Sequence, residues 1–326
     1  MRRIKTLLMS LLLLLVICAF AEAQTQPRHF KFTYAFKVQN VPAGEKLRVW
    51  IPLAHTDDFQ TVRVISATGD LKTKETRESR FGNRMLYAET DRANKTEYAF
   101  EVVYDVVRRE RTEAPPVTLT SAAMKDWLKP DHLVPVTGLP AQLATEQVAG
   151  RSGTMDRARA IYDYVFKTLR YEKTGEGWGH GDVLYACDAK KGNCTDFHSL
   201  FIAMARSQGI ASRFEMGFSV PPDKHAAEIA GYHCWADFYN GASWVPVDIS
   251  EAWKHPEKHD YFFGHHDVDR MQFTMGRDLQ LSPAQDGAPL NYFIYPYVEV
   301  AGKPYSAINN RFSFEDVPLG ETVALK

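Results

Sequence analysis

The sequence predicts an α+β protein: an N-terminal antiparallel β-sandwich, then a core in which a buried, cysteine-bearing helix packs on an antiparallel sheet. Three observations predict it. Residues 27–112 hold one strand-like run after another, with apolar and polar positions alternating. The run TDFHSLFIAMARSQG, just after Cys194, is apolar on most sides, as a buried helix requires. GYHCWADFYN and GASWVPVDIS follow, rich in aromatic and β-branched residues, and they meet at Asn240-Gly241, a strong hairpin signal.

The chain opens on a secretory leader. Arg2, Arg3 and Lys5 supply the charged start, Leu7 to Phe20 the apolar stretch, and Ala21-Glu22-Ala23 a cleavage site. Residues 1–23 are therefore expected to be a signal peptide, and the mature protein to begin at Gln24. An uncleaved anchor is the alternative. Cys18 raises the question of lipidation, but Ile17 stands where a small residue is expected. Export to the periplasm or the extracellular space follows. No later segment is long and apolar enough to span a membrane, so no stable insertion is expected after cleavage.

In the sandwich, HFKFTYAFKV places Phe30, Phe32, Tyr34, Phe36 and Val38 on one face and Lys31, Thr33 and Lys37 on the other. TEYAFEVVYDVV repeats this with Tyr98, Phe100, Val102, Tyr104 and Val106. LRVWIPL, TVRVIS and NRMLYAE read as the strands between. Ala114-Pro115-Pro116 marks a boundary, and residues 118–326 form the second domain. There, Ile161, Val165 and Leu169 fall at helical spacing within 156–170. The tail, with MQFTMGRDLQL and NYFIYPYVEVAG, returns to strand signals and is expected to complete the second domain's sheet.

At 326 residues, 45% hydrophobic and 24% charged, the chain has the composition of a globular protein with an ample core. The formal net charge is −1. Arg108, Arg109 and Arg111 are interrupted by Glu110 and Glu113 and read as a solvated strand end. No basic patch or motif points to a nucleic-acid partner.

Cys194, His233 and Asp248 carry the chemistry. A neutral thiol is a weak nucleophile at neutral pH, a base must take its proton, and a third group must fix the base's tautomer. If Asn240-Gly241 is a two-residue loop, Tyr239 pairs with Ala242, and the same register sets His233 opposite Asp248. Cross-strand Cβ atoms lie roughly 4.5–5.5 Å apart, within reach of an imidazole–carboxylate bond. A three-residue loop would break that pairing. Alternation puts Trp235, Trp244 and Pro246 on the same face, and Cys234, Ala236, Phe238, Val245 and Val247 on the other. Asn193 is the expected N-cap of the cysteine helix, with Asp196 completing a capping box and Gly209 beyond the C-terminus. Cys194 then lies on the first turn, where the helix dipole and unpaired N–H groups favour a thiolate and a developing oxyanion. Asp196 adds negative charge and works slightly against the thiolate.

GNCTDFHSLFIAMARSQGI, GYHCWADFY and WVPVDIS resemble the three core motifs of the transglutaminase-like superfamily, whose fold is related to papain-like cysteine proteases. The resemblance covers roughly residues 120–250 and suggests a bacterial, exported member. It implies a papain/transglutaminase-like core with Cys194 as nucleophile, His233 as base and Asp248 as orienting acid. The superfamily holds cross-linking enzymes, peptidases, amidases and inactive members, so the motifs do not fix the reaction. A protein or peptide substrate is expected. Neither a papain-type CGSCW motif nor an acidic calcium loop is present, and no cofactor is expected.

Secondary candidates have bland readings beside them. Trp178, in the glycine-rich EGWGHGD, is a candidate oxyanion donor or else a packing residue in a surface turn. His198, one turn after Cys194, reads as a satisfied core histidine. KHPEKHDYFFGHHD holds His255, His259, His265 and His266 with Asp260 and Asp267. Pro256 spoils a helical ligand pair there, so no metal is expected, and the segment reads as a mobile aromatic loop at the cleft mouth. Trp235 and Trp244 either line a substrate groove or belong to the core. Cleavage of the leader leaves Cys187, Cys194 and Cys234. A Cys187–Cys234 disulfide would leave Cys194 reactive; buried free thiols are the other option. Two functions from different classes remain: a thiol-dependent enzyme acting on amide bonds, and a catalytically silent protein that binds peptide or cell-envelope material on the same fold.

Overall fold

The computed structural model describes residues 26–112 and 114–321; the leader expected over residues 1–23 lies outside the described residues, as does Glu113. Six strands come first: β1 Arg28–Val38, β2 Leu47–Leu53, β3 Gln60–Gly69, β4 Lys74–Arg77, β5 Arg84–Thr90 and β6 Tyr98–Arg108. Helices α1 Ser121–Asp126, α2 Leu139–Val148 and α3 Thr154–Thr168 follow, then β7 Arg170–Tyr171, α4 Val183–Ala189, β8 Lys191–Gly192 and α5 Cys194–Ser207. The remainder is β9 Ser212–Ser219, β10 Ala226–Ile229, β11 His233–Tyr239, β12 Trp244–Val247 and α6 Ile249–Lys254. The chain closes on β13 Arg270–Met275, β14 Tyr297–Val300, β15 Lys303–Pro304 and β16 Ile308–Asp316.

The alternation in the N-terminal strands becomes a buried face: Phe30, Phe32, Tyr34, Phe36 and Val38 are inside, as are Tyr98, Phe100, Val102, Tyr104 and Val106. β1 and β6 pair antiparallel along their whole lengths. The sandwich is not closed by its own strands. Its two sheets run β10-β16-β1-β6-β3 and β15-β14-β2-β5-β4, while the sheet beneath α5 runs β12-β11-β9-β13. Only β13 of the tail joins the sheet of the second domain. β14, expected there as well, pairs with β2, and β16, beyond the segments singled out in the sequence, pairs with β1. The physical reason is visible in β16. Phe312 and Phe314 alternate inward opposite Tyr34 and Phe32, and β1 would otherwise be a bare edge.

One aromatic cluster joins the sandwich to the second domain. Phe218 lies 5.1 Å from Phe32, 5.3 Å from Phe273 and 4.6 Å from Phe312, ring centre to ring centre. Phe218→Ala is expected to cost about 3–5 kcal/mol. Because the core is shared, thermal unfolding should stay a single transition at a lower midpoint. Early loss of near-UV signal from the second domain alone, with the sandwich intact, would contradict this.

Of the three arginines at the end of β6, Arg109 stays in solvent, but Arg108 and Arg111 turn inward. Arg108 is buried, and Arg111 binds Asp237 on β11 through two nitrogens, at 3.1 and 2.8 Å. Among the described residues, no helix is long and apolar enough to cross a membrane. Helix α5 is buried from Cys194 to Arg206, packed between α2, α3 and α4 on one side and β9 and β11 on the other.

Candidate active site

The start of α5 has the expected caps. Asn193 Oδ1 accepts from the Thr195 N–H at 2.9 Å, and Asp196 Oδ2 accepts from the Asn193 N–H at 2.9 Å. Asp196 also accepts from the Gly179 and Gly181 N–H groups, at 2.7 and 3.0 Å. Burial raises its carboxyl above the ordinary value, although these N–H groups pull it down. The EGWGHGD loop is thus tied to the helix that carries Cys194. Arg277, buried, holds the loop's other polar side, donating to the Gly181 and His180 carbonyls at 3.0 and 2.8 Å. Gly181 has φ +62°, and a Cβ there would lie 2.8 Å from both Thr195 Cγ2 and Arg277 Nη1. Trp178 takes no part. Its indole N–H donates to the Gly175 carbonyl at 3.1 Å, inside its own loop, as the packing reading has it.

The hairpin differs from the expected one in a way that leaves the site intact. Tyr239 pairs with Trp244, Phe238 with Val245 and Ala236 with Val247, so four residues, 240–243, form the loop. The Asn240 side chain causes this. Its Oδ1 accepts from the Ala242 and Ser243 N–H groups, both at 2.8 Å, and builds an Asx turn in place of the two-residue one. The register moves by two residues, an even number, so every side chain keeps its face. Asp248 is no longer opposite His233. It leaves β12 and becomes the N-cap of α6, accepting from the Glu251 N–H at 3.0 Å. From there Asp248 Oδ2 lies 2.7 Å from His233 Nε2.

His233 Nδ1 is left free of Asp248, and this imidazole helps draw the Cys194 pKa down. Burial opposes charge on all three groups, but their mutual attraction prevails. Burial would lower the His233 pKa, yet the charge and hydrogen bond of Asp248, with Cys194 adding to them, push it up to about 10. Burial would raise the Cys194 thiol, yet hydrogen bonds from Cys234 and His233 and the imidazolium charge hold it well below its ordinary value. Asp248 is held well below the carboxylate range, against burial, by His233 and Arg270. Asp248 and His233 are joined by that hydrogen bond, and the electrostatics of the three groups favour a thiolate beside an imidazolium. Cys194 itself is only 2% exposed.

His198 is a satisfied core residue, as expected. Its Nδ1 lies 2.8 Å from the Cys194 carbonyl, and its Nε2 accepts from the Ile249 N–H at 3.0 Å. Those partners require the neutral Nδ1–H tautomer, and burial lowers its pKa. Cys234 faces α5, opposite to the His233 side chain. Its sulfur lies 3.7 Å from Thr195 Oγ1, and burial raises its pKa well above the ordinary thiol value. Cys187, Cys194 and Cys234 are all free, so no Cys187–Cys234 disulfide forms.

Trp235 belongs to the core, and Trp244 lines a pocket with His55, Phe59 and Arg213 away from Cys194. Trp235 is 1% exposed and donates to Glu215 at 2.7 Å. Trp244 is 7% exposed at the far end of the hairpin, against Trp127 and under the Arg213 guanidinium. The KHPEKHDYFFGHHD segment is packed rather than loose. Tyr162 donates to the His259 carbonyl at 2.8 Å, and Phe262 and His266 are buried. Among the described residues, no group of three or more His, Cys, Asp or Glu is arranged to hold a metal ion.

The groups around the thiol that sequence reasoning missed are four half-buried tyrosines and Arg270. Burial, with the charge of Cys194 adding to it, opposes ionisation of Tyr171, Tyr232, Tyr292 and Tyr295, and Tyr232 packs against Tyr292 and Tyr295. Tyr232 ties this rim to the helix start: its hydroxyl lies 2.7 Å from Thr195 Oγ1 and accepts from Asn193 Nδ2 at 3.1 Å. Only Tyr232 had a sequence signal, as the neighbour of His233. The other three come from separate segments.

Comparison with known proteins agrees with this geometry. Residues 141–249 match the core of the Transglutaminase-like superfamily. An uncharacterised protein of Haemophilus influenzae is 26% identical over 330 residues, covering 87% of this chain and 89% of its own. The crystal structure of a suggested cysteine protease from Cytophaga hutchinsonii shares the fold, with a TM-score of 0.58 at 14% identity, over 92% of this chain and 94% of that one. The periplasmic domain of TgpA from Pseudomonas aeruginosa overlays with a TM-score of 0.36 at 14% identity, over 72% of this chain and 93% of that one. By that match residues 141–249, which hold Cys194, His233 and Asp248, are a transglutaminase-like core.

Proposed function

We propose that the protein is an exported, thiol-dependent acyl-transfer enzyme acting on amide bonds of a protein or peptide. The observation that carries this reading is the chain from Asp248 through His233 to Cys194, with a depressed thiol beside a raised imidazole. Cys194 Sγ attacks the amide carbonyl carbon. The resulting oxyanion forms at the first turn of α5, where N–H groups and the helix dipole stabilise negative charge. The His233 imidazolium gives its proton to the leaving nitrogen, the C–N bond breaks, and a thioester remains. Water or an amine then attacks the thioester while His233 takes its proton, and the thiolate is released. Asp248 orients the ring and stabilises its charged form throughout. Periplasmic or extracellular placement rests on the N-terminal leader. No cofactor enters any step.

The burial of Cys194 also suits a silent binding protein that keeps the fold without the chemistry, and one measurement separates the two. Native protein is treated with substoichiometric iodoacetamide at pH 7, and the labelled cysteine is located by mass spectrometry. Cys187 is the more exposed thiol, but burial pushes its pKa up to about 11. Thiolate character should therefore make Cys194 react first, and His233→Ala should slow it. Labelling of Cys187 first, or at equal rates, would favour the silent protein. Incubation with a glutamine-containing peptide, with and without a primary amine, then distinguishes hydrolysis from amine transfer by product mass.

A further inference from the structure

We propose that Arg270 is a positioning residue for this reaction: it pins the Asp248 carboxylate against His233 and helps set the pH range in which Cys194 is a thiolate. The proposal rests on reading Cys194, His233 and Asp248 as a thiol-dependent site. Arg270 opens β13 and is 1% exposed. Its fork is held by a different carboxylate from the one it serves. Nε and Nη2 donate to the two oxygens of Asp267 at 3.1 and 3.3 Å, which fixes the guanidinium plane. Nη1, on the remaining edge, donates to Asp248 Oδ2 at 3.0 Å. Trp235 lies against the guanidinium, its ring centre 5.1 Å away.

The acceptor capacity of Asp248 is then full. Oδ2 takes His233 and Arg270; Oδ1 takes the Ser250 hydroxyl at 3.1 Å and the Glu251 N–H at 3.0 Å. A carboxylate held by four donors cannot rotate away from the imidazole. The cation also balances charge. Asp248, buried, and Asp267, partly buried, are two anions beside His233 and Cys194, and Arg270 bridges the two carboxylates.

The titratable surroundings come from every packed element. Helix α5 presents Cys194 and His198, β11 presents His233, α6 presents Asp248, Glu251 and the cation Lys254, α3 presents Tyr162 and β7 Tyr171. The segment leading into β13 presents His266, Asp267 and Asp269, while Arg108 comes from β6, with Arg111 and Glu215 beyond it. Burial keeps His198 and His266 neutral, so neither competes with His233. Arg270 is the cation that touches the carboxylate of the site.

The test is the pH dependence of Cys194 alkylation by iodoacetamide in the full chain, with Tm measured for each variant. Removing a buried cation stabilises the protonated form of every neighbour. Arg270→Gln should therefore move the acid limb of Cys194 reactivity up by about one pH unit. That means roughly tenfold slower alkylation below the limb. Arg270→Lys keeps the charge and should bring the limb back. Asp267→Asn removes an anion and should move the limb down, which keeps the test decisive if Arg270→Gln does not fold. A purely structural role would lower Tm without moving the limb. A folded Arg270→Gln with the wild-type limb, an Arg270→Lys shifted as far as the glutamine variant, or an unmoved limb in Asp267→Asn overturns the proposal. A wild-type limb in the ordinary thiol range, near ~8.5, would instead sink the reading of the site and the proposal with it.

Discussion

Cys194→Ala should leave a folded protein with no acyl-transfer turnover. The thiol supplies the covalent bond of the thioester, and nothing near it replaces that bond. Cys234 faces α5 beside it, but burial keeps that sulfur protonated and so a poor nucleophile. Stability should change a little, because Cys194 is 2% exposed and its loss leaves His233 without its anionic neighbour. A cost of about 1 kcal/mol is expected, a lowering of Tm by about 2 °C. Any turnover by Cys194→Ala that matches an authentic wild-type product would reject the thiol mechanism.

Asp248→Asn has the second largest expected effect. An amide oxygen can still cap α6 at the Glu251 N–H, so the fold should persist. The amide cannot stabilise the imidazolium, and its NH2 group would face Arg270 Nη1 or His233, each of which needs an acceptor. The matching change in a serine triad costs about 10⁴ in kcat, and a loss of that order is expected here. A second readout is alkaline stability. With the folded His233 pKa raised to about 10, its ion pair stabilises the protein fully below the ordinary histidine range and loses that contribution as pH rises through 10. That alkaline fall should shrink in Asp248→Asn. Turnover within tenfold of wild type would remove Asp248 from the mechanism.

The site was legible because its three residues sit at structurally punctuated points: a capped helix start, a strand start and a strand end. Asn193 and Asp196 announce the first, and both caps are in place. The hairpin was half legible. Asn-Gly marked the turn, but the Asn240 side chain lengthened the loop by two residues, and an even slip preserved the faces that brought His233 towards Asp248. Arg270 carried no local signal. It reaches Asp248 only because β13 crosses to the edge of the sheet beside β9, a long-range pairing that strand alternation cannot specify. Of the tail segments, the one that forms β13 was assigned to its sheet, while the one that forms β14 was assigned to the wrong sheet for the same reason. Trp235 shows the limit of face assignment: it shares a face with His233, yet that face is covered by Arg270 and His266.

The seat of β16 in the first sheet has a consequence for how the molecule comes into being. β1 is the middle strand of that sheet, flanked by β6 on one side and β16 on the other. β6 is within reach soon after β1 emerges during synthesis. β16 comes at residues 308–316, near the end of the chain. Until then β1 presents a bare edge of unpaired N–H and C=O groups, with Phe32 and Tyr34 uncovered by Phe312 and Phe314. The N-terminal sandwich is therefore unable to mature as an independent first module, and its completion is a late, long-range event of the kind that slows folding. β1 is completed by a strand about 270 residues further along the chain.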